Sequence, residues 1–451
     1  MQKFTLFIIS TIILLSIAIN SYSQNEYSYE NVEKISDSLY TNRKFDQLIK
    51  FSNKAIDLKI DTYQLRYRLA MTYFEKKNYL SAITNFEKAN DLGYETQKML
   101  ENLYYSYFYT DRFEEANFTY SKLSVSRMER IRPLNNPFIN TLNIESGSSF
   151  SNDETKNSNS ADPVTGEFYS EQTFDKNSFL FNTGLSQLPF ERFSIYYNYT
   201  YLNQKKENVI SYSNEIVSNN YSQIQSQFYN RFDIYAGNGF VVSPAGRFIG
   251  VKENTYTANF DSSASLKNYF SVSDKENISD NFIISAMVSK FVSLFKLRIN
   301  GSFSFLNEKH QSQIGFSGTY FPFGNKKFYS ESDVTLHNQN SISNLVFTQL
   351  FGGMIAKNFY FEAYATFGKV NNFNEQNGYI VFNNSDVTTL KFGADLKYII
   401  SNNFNAYLIY LNQQRERNYN VYEISNNSIP VQTQILNYQK NTILAGLKFI
   451  F

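Results

Sequence analysis

The sequence has no cysteine and no tryptophan, two histidines and seven prolines. Without cysteine there can be no disulfide, no thiolate metal site and no lipid-modified cysteine behind a leader. Imidazole chemistry is confined to His310 and His337. Charge of one sign is missing too. The 42 basic and 41 acidic residues leave a net charge of +1, so no basic face is expected for nucleic acid. Tyr and Phe are plentiful, 36 and 43 among 451 residues, and with so little proline this usage favours strands.

The chain opens "MQKFTLFIISTIILLSIAINSYSQ", where Lys3 precedes an apolar run from Phe4 to Ile19 and a small-residue boundary at Ser21-Tyr22-Ser23. A run of this length is short for a bilayer-spanning helix, and its order is that of a secretory signal peptide. Residues 1–23 are therefore expected to be cleaved near Ser23 or Gln24, the alternative being an uncleaved anchor. The mature protein is expected outside the cytoplasm.

Residues 29–130 repeat with a period of 34. Aligned columns read Ile35, Leu69 and Leu103; Leu39, Tyr73 and Tyr107; Phe45, Tyr79 and Phe113; Leu48, Ala82 and Ala116; and Ala55, Ala89 and Leu123. The clearest unit, "YQLRYRLAMTYFEKKNYLSAITNFEKANDLGYE", carries Leu69, Ala70, Tyr73, Ala82, Phe86 and Ala89. It resembles the tetratricopeptide family, with Ser52 replacing an expected aromatic in the first unit and no late proline in any. That resemblance implies an α-solenoid of about three repeats over residues 25–130, binding a periplasmic protein along its concave face. The groove would then be lined by Tyr67, Met71, Phe74, Tyr105, Phe108 and Tyr109. Packing of these aromatics against the next helix is the competing expectation.

Pro133 and Pro137 end the helical pattern, and residues 131–139 read as a linker. From Asn140 the period changes to two. In "LFKLRINGSFSF", Leu297, Ile299, Phe303 and Phe305 alternate with Lys296, Arg298, Asn300, Ser302 and Ser304. The segments at 358–368 and 389–399 alternate likewise. Tight turns near 187–192, 292–296, 321–327, 354–358 and 400–404 intervene between long polar connections at 151–176, 204–219, 371–386 and 417–440. That arrangement predicts an antiparallel transmembrane β-barrel over 140–451, with the long connections outside. About fourteen strands are expected, starting near 140, 177, 192, 220, 260, 281, 295, 312, 327, 342, 357, 388, 403 and 441. The stretch 237–260, readable as a turn, a plug or a hairpin, leaves the count between twelve and sixteen. No proline is expected inside a strand.

The last segment, "NTILAGLKFIF", places Ile443, Leu447, Phe449 and Phe451 on one face. It resembles the signal read by the barrel-assembly machinery of the bacterial outer membrane. Closure of the last strand on the first would leave no edge. The order leader, repeats, barrel resembles the exopolysaccharide-export porins and, more loosely, the YaiO-like outer-membrane barrels. The resemblance implies a Gram-negative outer-membrane protein in contact with lipid, its N-terminal domain in the periplasm, conducting a polysaccharide or other polar solute; a non-conducting barrel that anchors a partner is the alternative.

The mixed face is expected to line the lumen through Arg231, Lys296, Arg298, Lys391, Lys397 and Lys448 against Asp233, Glu331, Asp333, Glu362 and Asp395. Six positive against five negative charges make no single-sign ring for strong ion selectivity. A hydrolase or acyltransferase would need His310 or His337, both expected in outward loops with no distinctive partner in sequence. The expectation is no catalysis, no metal and no cofactor.

Overall fold

The computed structural model describes residues 27–131, 139–157, 168–212, 215–260, 270–423 and 431–451, which divide into a helical unit and a barrel. The expected leader (1–23) and most of the expected linker lie outside the described residues.

In the helical unit, three hairpins succeed one another: α1 (Tyr29–Thr41) with α2 (Phe45–Asp57), α3 (Tyr63–Glu75) with α4 (Tyr79–Asp91), and α5 (Gln97–Tyr109) with α6 (Phe113–Tyr120). A single turn, α7 (Val125–Met128), completes the unit. The first helices start at 29, 63 and 97, the second at 45, 79 and 113, so the 34-residue period of the sequence is a period of structure. Its punctuation repeats as well. Ser28, Thr62 and Thr96 each accept a hydrogen bond from the backbone N–H three residues on, capping α1, α3 and α5. Arg43, Lys77 and Asp111 take positive φ in the turns inside the hairpins. Leu48, Ala82 and Ala116 are wholly buried, as are Ala55 and Ala89, so the expected columns of small and branched residues form the core.

The second unit comprises β1 (Thr141–Ser151), the short helix α8 (Asp153–Asn157), β2 (Phe168–Phe190), β3 (Phe193–Tyr212), β4 (Glu215–Gly237), β5 (Phe240–Phe260), β6 (Phe270–Val292), β7 (Phe295–Leu306), β8 (Lys309–Tyr320), β9 (Phe328–Gln339), β10 (Ile342–Ala356), β11 (Phe359–Val370), β12 (Phe373–Glu375), β13 (Ile380–Phe382), β14 (Val387–Ser401), β15 (Phe404–Glu423) and β16 (Val431–Ile450). Fourteen of these strands close an antiparallel barrel; β12 and β13 form a small sheet of their own. Closure is by β1 and β16, paired from Thr141↔Ile450 to Ser151↔Lys440. Each has partners on both sides, so the barrel has no free edge there.

The faces sort as the period of two requires. On β8, Ile314 and Phe316 are more than half exposed, while Gln311, Gln313, Ser317 and Thr319 are buried. The same division holds for Leu345 against Val346 on β10 and for Phe392 against Lys391 on β14. An exterior of exposed Phe, Ile and Leu around a polar interior is the reverse of a water-soluble domain and is stable against lipid. The second unit is an outer-membrane-type β-barrel. Phe193, Phe240, Phe295, Phe328, Phe359 and Phe404 each begin a strand at the short-turn rim. There Phe295 stacks on Tyr320 at 4.8 Å, Phe359 on Tyr398 at 4.4 Å, and Phe404 packs on Phe449 at 4.9 Å. This is an aromatic girdle of the interfacial kind.

The strand count agrees with the sequence; two placements do not. The open stretch 237–260 is β5, and the expected strands starting near 260 and 281 are replaced by the single strand β6. Nor are the long connections all loops. The β3–β4 ladder runs up to Tyr212↔Glu215 and the β15–β16 ladder to Tyr422↔Val431. Strands of 20 to 23 residues, rising about 3.3 Å per residue, are ~70 Å long and overrun an apolar band of ~25 Å even when tilted. Hydrophobic alternation ends where the lipid ends, which hid these extensions. Conversely, the outer-rim turns at 307–308 and 340–341 are tight. Pro244 does lie inside a strand, opposite Ala286 of β6. On its other side the ladder passes from Arg231↔Ala245 to Ile234↔Val242 without pairing between them, so the missing N–H falls in a gap. Pro189 is the penultimate residue of β2, beside a register shift at the hairpin.

Candidate functional site: a hairpin inside the lumen

The connection 371–386, expected to project outward, folds into the barrel instead, where β12 and β13 form a hairpin held by the wall. Gln313 Nε2 donates to Asn374 O at 2.9 Å, and Asn374 Nδ2 donates to Ser302 Oγ at 3.0 Å. Lys391 Nζ is 2.5 Å from Glu375, and Asn377 Nδ2 donates to Ser243 O at 2.7 Å. Apolar contacts complete the seat. Val381 packs on Ile249, Val251, Ile283 and Leu306, and Phe382 packs on Val346, Val370 and Phe373. The inward hairpin explains why these apolar side chains occupy the polar parity of the strands. They were the sequence signal for it, together with a "connection" containing Phe373, Ile380, Val381 and Phe382.

The hairpin tip carries the densest contacts. Tyr229 Oη donates to Asn377 O at 3.2 Å and Ser285 Oγ to the same oxygen at 2.9 Å. Arg247 Nε donates to Gly378 O at 2.9 Å, its Nη2 to Tyr379 O, and its Nη1 to Gln227 Oε1 at 2.5 Å. Asn182 Nδ2 donates to Tyr379 Oη at 3.1 Å. The Tyr379 ring sits edge-on between Tyr196 and Tyr229, at 5.8 and 5.5 Å.

A charged cluster lies beside the hairpin's return strand. Arg417 bridges Asp153 of α8 at 2.6 Å and Asp386 at 3.0 Å; Arg415 meets Asp175 at 3.2 Å; Tyr438 Oη donates to Asp386 at 2.7 Å. None of Arg247, Arg415, Arg417, Asp153, Asp175 and Asp386 was singled out from sequence. Arg247 lies inside β5, in the stretch 237–260 whose reading was open, and the others lie on or near the extended strand ends and in the connections, where alternation no longer marks the inner face.

Among the expected lumen residues, Lys391 is buried against Glu375, and Arg298 donates to Ser317 Oγ at 2.8 Å and to Glu331. Arg231 pairs with Asp233 at 3.0 Å. Glu362 accepts from Tyr329 and faces Asp395 across the β11–β14 ladder. Thr335 donates to Asp333 at 3.0 Å. Lys296, Lys397 and Lys448 are half-buried on the same inward parity. Of the terminal residues, Ile443 and Leu447 are exposed on the outer face, Phe449 joins the girdle, and Phe451 N donates to Asn140 O at 3.0 Å. The two histidines differ from expectation, since both lie within strands. His310 on β8 packs beside Phe303 and Phe305, and His337 on β9 is fully buried, edge-on to Phe373 of the hairpin.

In the helical unit, the six expected groove residues do not form one surface. Phe74 packs on Tyr79, Tyr79 on Tyr109, and Tyr109 on both Tyr105 and Phe108. Tyr67 belongs to a separate cluster with Phe86 and Tyr94. Met71 is buried, with Asn102 Nδ2 at 3.1 Å from its sulfur. Burial pushes the phenols of Tyr67 and Tyr79 up to about 12.

No family model and no curated protein sequence matches the chain. Among solved structures, the chain is similar to the toluene transporter TodX of Pseudomonas putida, with TM-score 0.44 and 7% identity over 70% of this chain and 91% of that one. It is also similar to a FadL homologue of Pseudomonas aeruginosa, with TM-score 0.40 and 6% identity over 70% and 93%. The KdgM porin aligns at TM-score 0.28 and 10% identity over 51% and 96%.

Proposed function

We propose that the protein is an outer-membrane conduit for small polar solutes, constricted by the hairpin 371–386, and that its helical unit is a tetratricopeptide array recruiting a periplasmic protein. The observation that carries the conduit is the hairpin itself. It contacts the wall through side-chain hydrogen bonds, the Lys391–Glu375 ion pair and two small apolar clusters, and among the described residues no strand ladder joins β12 or β13 to the barrel. Such contacts exchange for water and solute far more readily than a cross-strand ladder does. A filled lumen argues against a bulky polymer in this state, so the export role implied by the porin resemblance gives way to small solutes. The 34-residue recurrence of helices, caps and turn residues supports the array reading, and the partly exposed run Phe74, Tyr105, Phe108 and Tyr109 is the docking surface proposed on it.

The test is single-channel recording of the purified full chain in planar bilayers. Weakly ion-selective conductance is expected, rising several-fold on deletion of residues 373–382. Silence from both the full chain and the deletion variant, each folded, overturns the conduit and leaves the second reading, a barrel that anchors a partner.

A further inference from the structure

The barrel's buried cations differ in one respect. Lys391 faces Glu375, while Arg415 and Lys440 face Asp175 at 3.2 and 3.9 Å. Arg247 is buried as deeply, yet among the described residues no carboxylate pairs with it. Its acceptors are the carbonyls of Gly378 and Tyr379 and the amide oxygen of Gln227, and its guanidinium lies 5.0 Å from the Tyr229 ring centre and 5.8 Å from that of Tyr379. Neighbouring Arg231, by contrast, has Asp233. A buried guanidinium satisfied only by neutral dipoles lacks the opposite charge that would compensate its desolvation.

The groups around Arg247 complete a pattern. The wall offers donors: Arg247, the Tyr229 hydroxyl, the Ser285 hydroxyl and the Asn182 amide. The hairpin tip answers with acceptor oxygens and one aromatic ring, Tyr379, set between Tyr196 and Tyr229. The tip turn is also disfavoured locally, since Gln376 and Asn377 both take positive φ, at 51° and 59°. A Cβ on Gly378 would stand 3.2 Å from Ser285 Oγ, so the tip is pressed against the wall.

We infer that residues Asn377–Tyr379 are an internal stand-in for the solute, and that the wall site at Arg247, Tyr196, Tyr229, Asn182 and Ser285 binds a small ring-bearing carboxylate. The carboxylate takes the guanidinium in place of the carbonyls, supplying the missing charge in a charge-assisted pair. The ring takes the place of the Tyr379 side chain between the two tyrosines. This deepens the conduit reading by naming the class of solute, and it rests on that reading only for the route by which the solute arrives.

Benzoate is the probe and benzyl alcohol its uncharged counterpart, titrated calorimetrically into the full chain in detergent. Benzoate is expected to bind at least about tenfold more tightly than benzyl alcohol, a ratio set by one charge-assisted contact. Arg247→Gln should abolish that ratio. Tyr379→Ala, which removes the stand-in ring and leaves the wall intact, should tighten benzoate. A heat-modifiable band on gels checks that each variant is folded. If Arg247→Gln does not fold, Tyr379→Ala alone decides. Equal affinity for the two probes, or unchanged benzoate affinity in Tyr379→Ala, overturns the site. Conductance of the unsubstituted chain in potassium chloride requires no benzoate, so a failed site with an open channel is distinguishable from a failed conduit.

Discussion

Leu48 in the helical unit and Ile314 in the barrel are both aliphatic, yet one is wholly buried and the other 60% exposed. The helical unit hides its Leu, Ala and Phe from water behind capped, amphipathic helices. The barrel turns its Phe, Ile and Leu outward and buries Gln, Asn, Ser, Arg and Lys. One chemistry, the low solubility of hydrocarbon in water, gives both results, because the second unit's solvent is lipid. The difference teaches that burial alone does not define a core. In the array the packed apolar interior supplies stability, while in the barrel the backbone ladders and interior polar contacts hold the wall and the apolar residues match the surroundings.

The comparison can be broken at its strongest point by equal truncations. Leu48→Ala should destabilise the array by about 2–5 kcal/mol, through lost burial and a residual cavity. Leu345→Ala, on the outer face of β10, should cost far less, because lipid fills the space. Urea unfolding followed at a helix-specific signal and at heat-modifiability separates the two, and similar losses at both positions would refute the inside-out assignment. A charge sharpens it further. Ile314→Arg, midway along β8, should destabilise the barrel by about 2–4 kcal/mol if that residue sits at the bilayer midplane. No loss of folded band would place β8 in water.

The smallest effect is a pH dependence confined to the array. Half-burial holds the Tyr67 and Tyr79 phenols up to about 12, above their ordinary 10. A group whose folded value is raised contributes its stability fully below the unfolded value and loses it as pH rises through the folded one. Array stability should therefore fall between pH 10 and 12, and the double variant Tyr67→Phe, Tyr79→Phe should flatten that slope. Equal slopes in the two proteins would mean the phenols are solvated.

How far the sequence could be read depends on how far each regularity extends. The 34-residue columns were legible because the repeats bury the same close-packed positions, so Leu48, Ala82 and Ala116 report one packing rule three times. Most strands were legible because lipid imposes alternation on their crossings, and the count of fourteen agrees because an extra strand expected near 260 offsets the unread β5. β5 was obscured because its inner face carries Ile249 and Val251, apolar residues matched to the hairpin, and because Pro244 interrupts its ladder on one side. The groove list grouped Tyr67 and Met71 with Phe74 and Tyr105 by helical position, but aromatic packing between helices divides them.

The sequence alone therefore carried most of what is periodic: the helical repeat, the two-faced strands other than β5, and the closing strand with Phe449 near its end. The lumen, by contrast, was settled by contacts between distant segments. Whether the loop 371–386 points outward or inward depends on contacts such as Arg247 to Tyr379, 132 residues apart along the chain. Pairs so distant leave no period to read, because each is a single meeting of two side chains rather than a rule repeated along a surface.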